Sequence, residues 1–385
     1  MNPVRIGIVG VGNMGATHAR SILGGRVEGL QLTALADLNP AMLAPFPGVA
    51  HFENPLQMLS AGLIDAALIA TPHFDHVPLG IAALAAGLHV LVEKPLAVHK
   101  SDAERFIAAA TAHPSQICAA MFNQRTDDYY QTIRRLIQSG ELGEIRRMNW
   151  LVTDWFRPAA YYASSEWRAT WAGEGGGVLL NQSLHNLDLL QWLFGQPVRI
   201  RAHAGFGRYH EIEVEDDVTA YLEFSNGATG VFVTSTGESP GSNRLEIAGE
   251  RGRLVYEADT IRLWRNAQPT SVFSGVTTEL FARPPTNEEN LAVSGHGGQH
   301  NEVLQNFVDA IQRGVPLIAP AGEGIHSVEI VNAMLMSAWT NKTVELPLDG
   351  PAYAQLLDEK IRSSRRKPFA ARPVALADLS RSFGT

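Results

Sequence analysis

Short apolar runs alternate with helix-like stretches along the first third of the chain. Residues 4–9, 30–36, 65–70, 88–92 and 116–122 are near-continuous apolar segments of strand length. Such runs read as strands buried on both faces of a parallel sheet. Segments over 16–23, 52–63, 77–86 and 101–112 lie between them, and Ser101 caps the last with Glu104 at its capping-box position. Strand and helix alternating in this way predict an α/β, doubly wound parallel sheet. After a helix over 127–139, closed by Gly140, the period changes. Residues 145–155, 200–206, 217–224 and 228–234 alternate loosely, and Asn226-Gly227 joins the last two as a hairpin. Strands over 244–248, 252–257 and 343–347, with helices over 300–314 and 324–340, complete a second, α+β domain with a mostly antiparallel open sheet. Residues 269–298 are rich in Pro, Thr, Asn and Gly and read as a long loop, and the basic tail after Ser363 reads as mobile.

Composition narrows the function. A length of 385 residues suggests two domains at roughly 150 residues each. The formal net charge of -8 disfavours a nucleic-acid partner. The single cysteine, Cys118, lies in an apolar run and leaves no internal disulfide framework. No apolar run approaches about 18 residues, and no signal-like segment precedes the strand at Val4, so a cytoplasmic protein without a membrane partner is expected. No metal is expected.

The first strand runs into Gly10-Val11-Gly12-Asn13-Met14-Gly15 and then a helix. This strand–glycine–helix order is the dinucleotide fingerprint of a Rossmann sheet. Gly10 permits the turn, Gly12 lets backbone approach a pyrophosphate, and Gly15 packs helix on strand. Asp37 ends the second strand at the distance where a carboxylate takes ribose hydroxyls, though it also suits a turn before Pro40. No arginine follows it to hold a 2′-phosphate, so NAD is preferred over NADP. Thr71, Pro72 and His76 stand at the end of the third apolar run, Glu93-Lys94-Pro95 at the end of the fourth, and Asn123 and Arg125 after the fifth. Ligands of open α/β sheets bind at this edge, so Lys94 is expected to project into the site, with Pro95 fixing its backbone; the alternative is an ordinary charged turn.

A second constellation follows. Glu174 precedes Gly175-Gly176-Gly177, and a helix is expected from there to Gly195. It would carry Asn181, His185, Asp188 and Trp192 on one face. Three glycines suggest close approach to something, and His185 could serve as a general acid or base. A solvated polar face and a structural histidine are the alternatives. Upstream, Trp155, Arg157, Trp167 and Arg168 suit sugar rings and their hydroxyls.

Together these residues resemble the Gfo/Idh/MocA oxidoreductases, which act on sugars, inositols and their derivatives with NAD or NADP. The resemblance rests on Gly10 to Gly15, Thr71-Pro72, Glu93-Lys94-Pro95, the glycine run with His185 and Asp188, and Ser337-Ala338-Trp339. It implies a dinucleotide-binding domain over 1–124, a substrate-binding and oligomerisation domain over 125–350, and a C-terminal helix and tail over 351–385. It further implies a homodimer or homotetramer through the second sheet. The family lysine and the histidine of an Asp-x-x-x-His motif map to Lys94 and His185, which makes Lys94, His185 and Asn181 the catalytic candidates. The chain departs from the motif at Asn181, an amide where the family has a carboxylate. Lys94 would stabilise a developing alkoxide and His185 would take the hydroxyl proton, titrating near the ordinary histidine value of about 6.5. Two alternatives share the fold: an NAD-retaining glycoside hydrolase or lyase, and a catalytically silent sugar-sensing regulator.

Overall fold

The computed structural model describes residues 2–365; from residue 366 onward the tail lies outside the described residues. β1 (Val4–Val9), β2 (Leu30–Ala36), β3 (Ala50–Phe52), β4 (Ala66–Ile69), β5 (His89–Val92) and β6 (Cys118–Ala120) form a six-stranded sheet in the order β3-β2-β1-β4-β5-β6. Every pairing is parallel. The order reverses between β1 and β4, and that is where such sheets open a crevice at their carboxyl edge. α1 (Asn13–Leu23), α2 (Pro40–Leu43), α3 (Pro55–Ser60), α4 (His76–Ala85) and α5 (Lys100–Ala112) connect the strands. The helix expected over 52–63 is shorter, because Asn54 caps it through Leu56 N–H and Pro55 occupies its first position. The strand before it, β3, has only three residues and no buried one, so no pattern announces it.

After α6 (Asp128–Gln138) comes the second sheet. It contains β7 (Ile145–Val152), β8 (Arg199–Phe206), β9 (Glu215–Glu223), β10 (Thr229–Ser235), β11 (Asn243–Gly249), β12 (Gly252–Glu257), β13 (Thr260–Asn266), β14 (Thr286–Leu291) and β15 (Val344–Glu345). The order is β14-β13-β12-β11-β7-β10-β9-β8-β15. β7 and β10 pair in parallel and the other neighbours are antiparallel. The expected hairpin is β9–β10, with Gly227 at φ +85° in its turn. α7 (Ala159–Tyr162) and α8 (Leu184–Phe194) lie between β7 and β8.

Residues 269–298 are not a loop throughout, since they hold α9 (Thr270–Val276) as well as β14. β14 is exposed along nearly its whole length and is held by backbone pairing to β13. A polar edge strand has no buried face and therefore no apolar alternation to read. The helix expected from the glycine run begins only at Leu184; residues 178–183 are turns. Ser183 N–H reaches back to Val178 O, a wider turn than a helix makes.

α10 (Gln299–Arg313) returns to the first sheet. Its Val303, Leu304, Phe307 and Val308 are buried in one core with Ile6, Ile8 and Leu32. Gln305 accepts from Glu28 N–H at 2.8 Å, and Gln312 donates to Asn2 O at 3.1 Å. α11 (Gly324–Thr340) is buried along most of its length, and α12 (Gly350–Ser363) follows it. Lys100, at the start of α5, ties α11 to the parallel sheet. Its ammonium donates to Glu329 at 2.7 Å and to Leu348 O at 2.8 Å, and its N–H donates to Asn332 at 2.9 Å.

Candidate active site

The glycine turn is built as its spacing suggests. Gly10 has φ +86°, and a Cβ there would meet Ala70 O at 2.7 Å. A Cβ on Gly15 would lie 1.9 Å from Gly10 O, so only glycine lets α1 approach β1 this closely. A Cβ on Gly12 would meet nothing within 4 Å. The turn therefore has open space at Gly12 and packed backbone on either side of it. Asp37 sits beneath, accepting from Val11 N–H at 2.7 Å and from Asn39 N–H at 2.8 Å. The Thr71 hydroxyl at the end of β4 is buried without a hydrogen-bond partner among the described residues.

Lys94 follows β5, and its bond to Pro95 is cis. The half-buried ammonium donates to Asn181 O at 2.9 Å and to Asn181 Oδ1 at 3.2 Å. Burial pulls it down to about 8; Glu93 and Glu174 oppose that fall, while Arg168 and Arg157 add to it. Asn181 donates its amide hydrogens to Glu174 and, at 3.2 Å, to Tyr161 Oη. Arg168 and Gln182 donate to the same phenol oxygen at 2.8 and 3.0 Å. The Arg168 guanidinium lies 4.6 Å from the ring centroids of both Tyr161 and Trp167, and Arg157 lies 5.5 Å from Trp155 and 5.3 Å from Tyr161.

His185, on the first turn of α8, is buried beside this lysine. Burial, then the charges of Lys94 and His300, hold its imidazole well below the ordinary range. The expected titration near 6.5 does not survive this setting. The three glycines before the turn do mark a close approach, and the neighbour is backbone. A Cβ on Gly177 would lie 2.0 Å from Glu215 O.

Several expected site residues are engaged elsewhere. Arg125 is buried and grips Asp188 with two hydrogen bonds of 2.7 and 2.6 Å, and also pairs with Glu323. Its guanidinium locks the turn before α6 to α8 through Asp188. Trp192 covers Arg125 and Arg134. His76 places one ring nitrogen 2.7 Å from Pro95 O and the other 2.8 Å from Thr71 O, bridging two loops. Asn123 donates to Gln299 at 2.7 Å. The Glu93 carboxylate points at His18 Nε2, 2.6 Å away on α1. Burial works against its charge, but the His18 hydrogen bond and charge, with His300 and Lys94, outweigh it and hold the acid down to about 2. Trp155 is buried and donates to Asn186 at 3.1 Å.

Residues 4–121 match the family model for the oxidoreductase family with an NAD-binding Rossmann fold, and residues 130–255 match the GFO/IDH/MocA C-terminal domain. The chain belongs to the Gfo/Idh/MocA oxidoreductases. Its relatives include the Escherichia coli K12 protein named uncharacterized oxidoreductase YdgJ, 33% identical over 87% of this chain and 96% of that one. The inositol 2-dehydrogenase of Rhizobium meliloti is 24% identical over 89% of this chain and 99% of its own. Among solved structures, the WlbA dehydrogenase of Bordetella pertussis, in complex with NADH and UDP-GlcNAcA, has a TM-score of 0.77. It is 26% identical, covering 90% of this chain and 100% of its own.

As a Gfo/Idh/MocA oxidoreductase the chain carries an NAD-binding Rossmann fold, and the residues present fit that cofactor: an open Gly12, a helix N-terminus behind it and an unpartnered buried hydroxyl at Thr71. No group of three or more His, Cys, Asp or Glu among the described residues could hold a metal ion. No helix of the described residues is long and apolar enough to cross a membrane.

Sequence reasoning missed Glu174, Tyr161, His18 and His300 as members of the site. His18 had a readable signal, since it lies on the buried α1 face with Gly15, Ala19 and Ile22. Glu174 and His300 had none, because their partners are brought together only by the fold.

Proposed function

We propose that the chain is an NAD-dependent dehydrogenase that oxidises a secondary hydroxyl, or a hemiacetal, of a sugar, a sugar derivative or an inositol. The observation that carries this reading is the Lys94 ammonium, held 2.9 Å from Asn181 O at the sheet edge that also carries the open glycine turn. The arginine- and aromatic-lined wall around it suits a polyhydroxylated ring. The names of the relatives, inositol 2-dehydrogenase and a dehydrogenase bound to a nucleotide sugar, point the same way.

Gly12, Asn13, Met14 and Gly15 would hold the pyrophosphate, Asp37 the ribose and Thr71-Pro72 the adjoining segment. When bound, NAD supplies the hydride acceptor. The protein's own task is the proton. Lys94 carries its proton below pH about 8. Above that, the free amine takes the hydroxyl proton, and the resulting ammonium hydrogen-bonds the product oxygen. Neutral His185 orients the hydroxyl and is the weaker base of the two. Asn181 keeps Lys94 aimed in either protonation state, since both forms donate to its oxygens.

We further read the assembly as a homodimer or homotetramer through the second sheet, whose Leu151 and Tyr221 are exposed, and the compartment as cytoplasmic, in keeping with a single cysteine. The test of function is an NAD-reduction screen over sugars, inositols and glycosides. NADH released in step with product is expected. Sugar cleavage without NADH release, or no turnover across the panel, would overturn the reading.

A further inference from the structure

We propose that Glu174 is a positioning residue for Lys94, acting through the side-chain amide of Asn181. The proposal rests on the dehydrogenase reading only where it concerns turnover. The geometry is a chain of three groups. Glu174 accepts from Asn181 Nδ2, and Asn181 Oδ1 accepts from Lys94 Nζ at 3.2 Å. Each end of the amide meets the one kind of partner it can satisfy, a carboxylate at its donor end and an ammonium at its acceptor end. A flip of the amide would set donor against donor at Lys94 and acceptor against acceptor at Glu174. The carboxylate thus fixes which way Asn181 points, and Asn181 fixes where Lys94 points.

The departure at position 181 then has a physical reason. An aspartate there would put two carboxylates within hydrogen-bonding distance in a buried site, and one would have to be neutral. With Glu174 in place, an amide is what fits. The negative charge has moved one group back along the chain rather than disappearing.

Burial pushes the Glu174 carboxyl up, and the charges of Arg168 and Lys94 with the Ala169 N–H and the Asn181 amide oppose that rise. The Glu174 side chain is 3% exposed, and Arg168 Nη1 lies 3.8 Å away. Ala169 N–H donates to the second carboxylate oxygen, and Ala169 does so at φ +56°, a left-handed conformation that alanine rarely adopts. Glu174 N–H bonds back to Thr170 O at 2.9 Å, and Glu174 O accepts from His73 Nδ1 at 3.0 Å. The Ala169 N–H and the Asn181 amide both donate to the carboxylate, one to each oxygen.

Glu174 acts on the lysine's charge as well as its position. The anions facing Lys94 are Glu93 and Glu174, and the cations are Arg157 and Arg168. The imidazoles of His73, His185 and His300 each feel the lysine and are held below the ordinary histidine range, chiefly by burial. Removing Glu174 takes away one of the two named facing anions and leaves Glu93, already bound to His18, so Lys94 should release its proton at lower pH.

The chain contains five lysines, so the lysine Cε signals of the full-length protein are few enough to follow by NMR, and Lys94→Arg identifies the one that matters. In Glu174→Gln, the Lys94 titration should move down by about one unit, as loss of one facing charge gives. The kcat/KM for NAD reduction should fall roughly ten- to a hundredfold, and its pH limb should move down with the titration. The double variant Glu174→Gln with Asn181→Asp exchanges amide and carboxylate, and should restore both the titration and most of the turnover. A residue that only closes the 168–174 turn would leave the Lys94 titration where it is, and that result overturns the proposal. If Glu174→Gln alone does not fold, the double variant carries the test. A double no better than the single in fold, titration and turnover also overturns it. If the unsubstituted protein reduces no NAD with any panel member, the dehydrogenase reading fails, while the lysine titration still decides the role of Glu174.

Discussion

An amine that loses its proton near pH 8 changes charge inside the range of an ordinary assay, and here the amine is Lys94. Its depressed value means it is ionised below about 8 and free above it. The kcat/KM for oxidation should therefore rise with pH through about 8 and level off. Because burial holds His185 well below the ordinary histidine range, no second limb near 6.5 is expected. A pH–rate series that shows its limb near 6.5, or one that keeps the limb in Lys94→Ala, would contradict this. Lys94→Ala should cost about 2.7–4 kcal/mol of transition-state stabilisation and leave NADH affinity, read by fluorescence titration, nearly unchanged. Turnover within tenfold of the parent would refute it. Much of this was legible beforehand. Lys94 stood out because a charged pair followed an apolar run and preceded proline, and Gly10, Gly12 and Gly15 because their context was strand then helix. The pKa of His185 was not legible, because burial is a property of the packed site. Nor was the partner of Arg125, 63 positions away, so a conspicuous arginine after a strand looked like a ligand for substrate.

Between residue and domain, the buried pair Arg125–Asp188 clamps the turn before α6 to α8. Both side chains are 1% exposed, and breaking such a pair leaves an uncompensated buried charge. Asp188→Ala should lower stability by about 3–5 kcal/mol, read as a fall in the urea midpoint at constant slope, with KM little changed in whatever protein remains folded. A raised KM at full stability would return Arg125 to the substrate site. At this scale the sequence was readable for most elements that bury a face, though β13, with Ile261 and Leu263 buried, was not expected. β1, β2, β4, β5, α5 and α11 were all expected, and the β9–β10 turn was marked by Asn226-Gly227. It was opaque where elements have no buried face to announce them, as in β3 and β14. It misled at 178–183, where helical spacing continues through residues that fold as turns. Tight packing of Gly177 on Glu215 prevailed there over local propensity.

For the molecule as a whole, the two sheets were foreseeable from the change of period near residue 140, but the return of α10 to the first sheet was not. An amphipathic helix shows which of its faces is apolar and not which surface that face will meet. A fragment of residues 1–124 lacks Val303, Leu304, Phe307 and Val308, which complete one of its cores. It should unfold without a cooperative transition in urea, whereas a fragment joining 1–124 to 299–313 through a flexible linker should regain one; circular dichroism reads both. This dependence also bears on how the protein is born. On the ribosome, at about 5–20 residues per second, β1 and β2 wait on the order of ten seconds or more for their covering helix. Through that interval a nascent apolar surface stands uncovered, and it is the surface a chaperone would be expected to find.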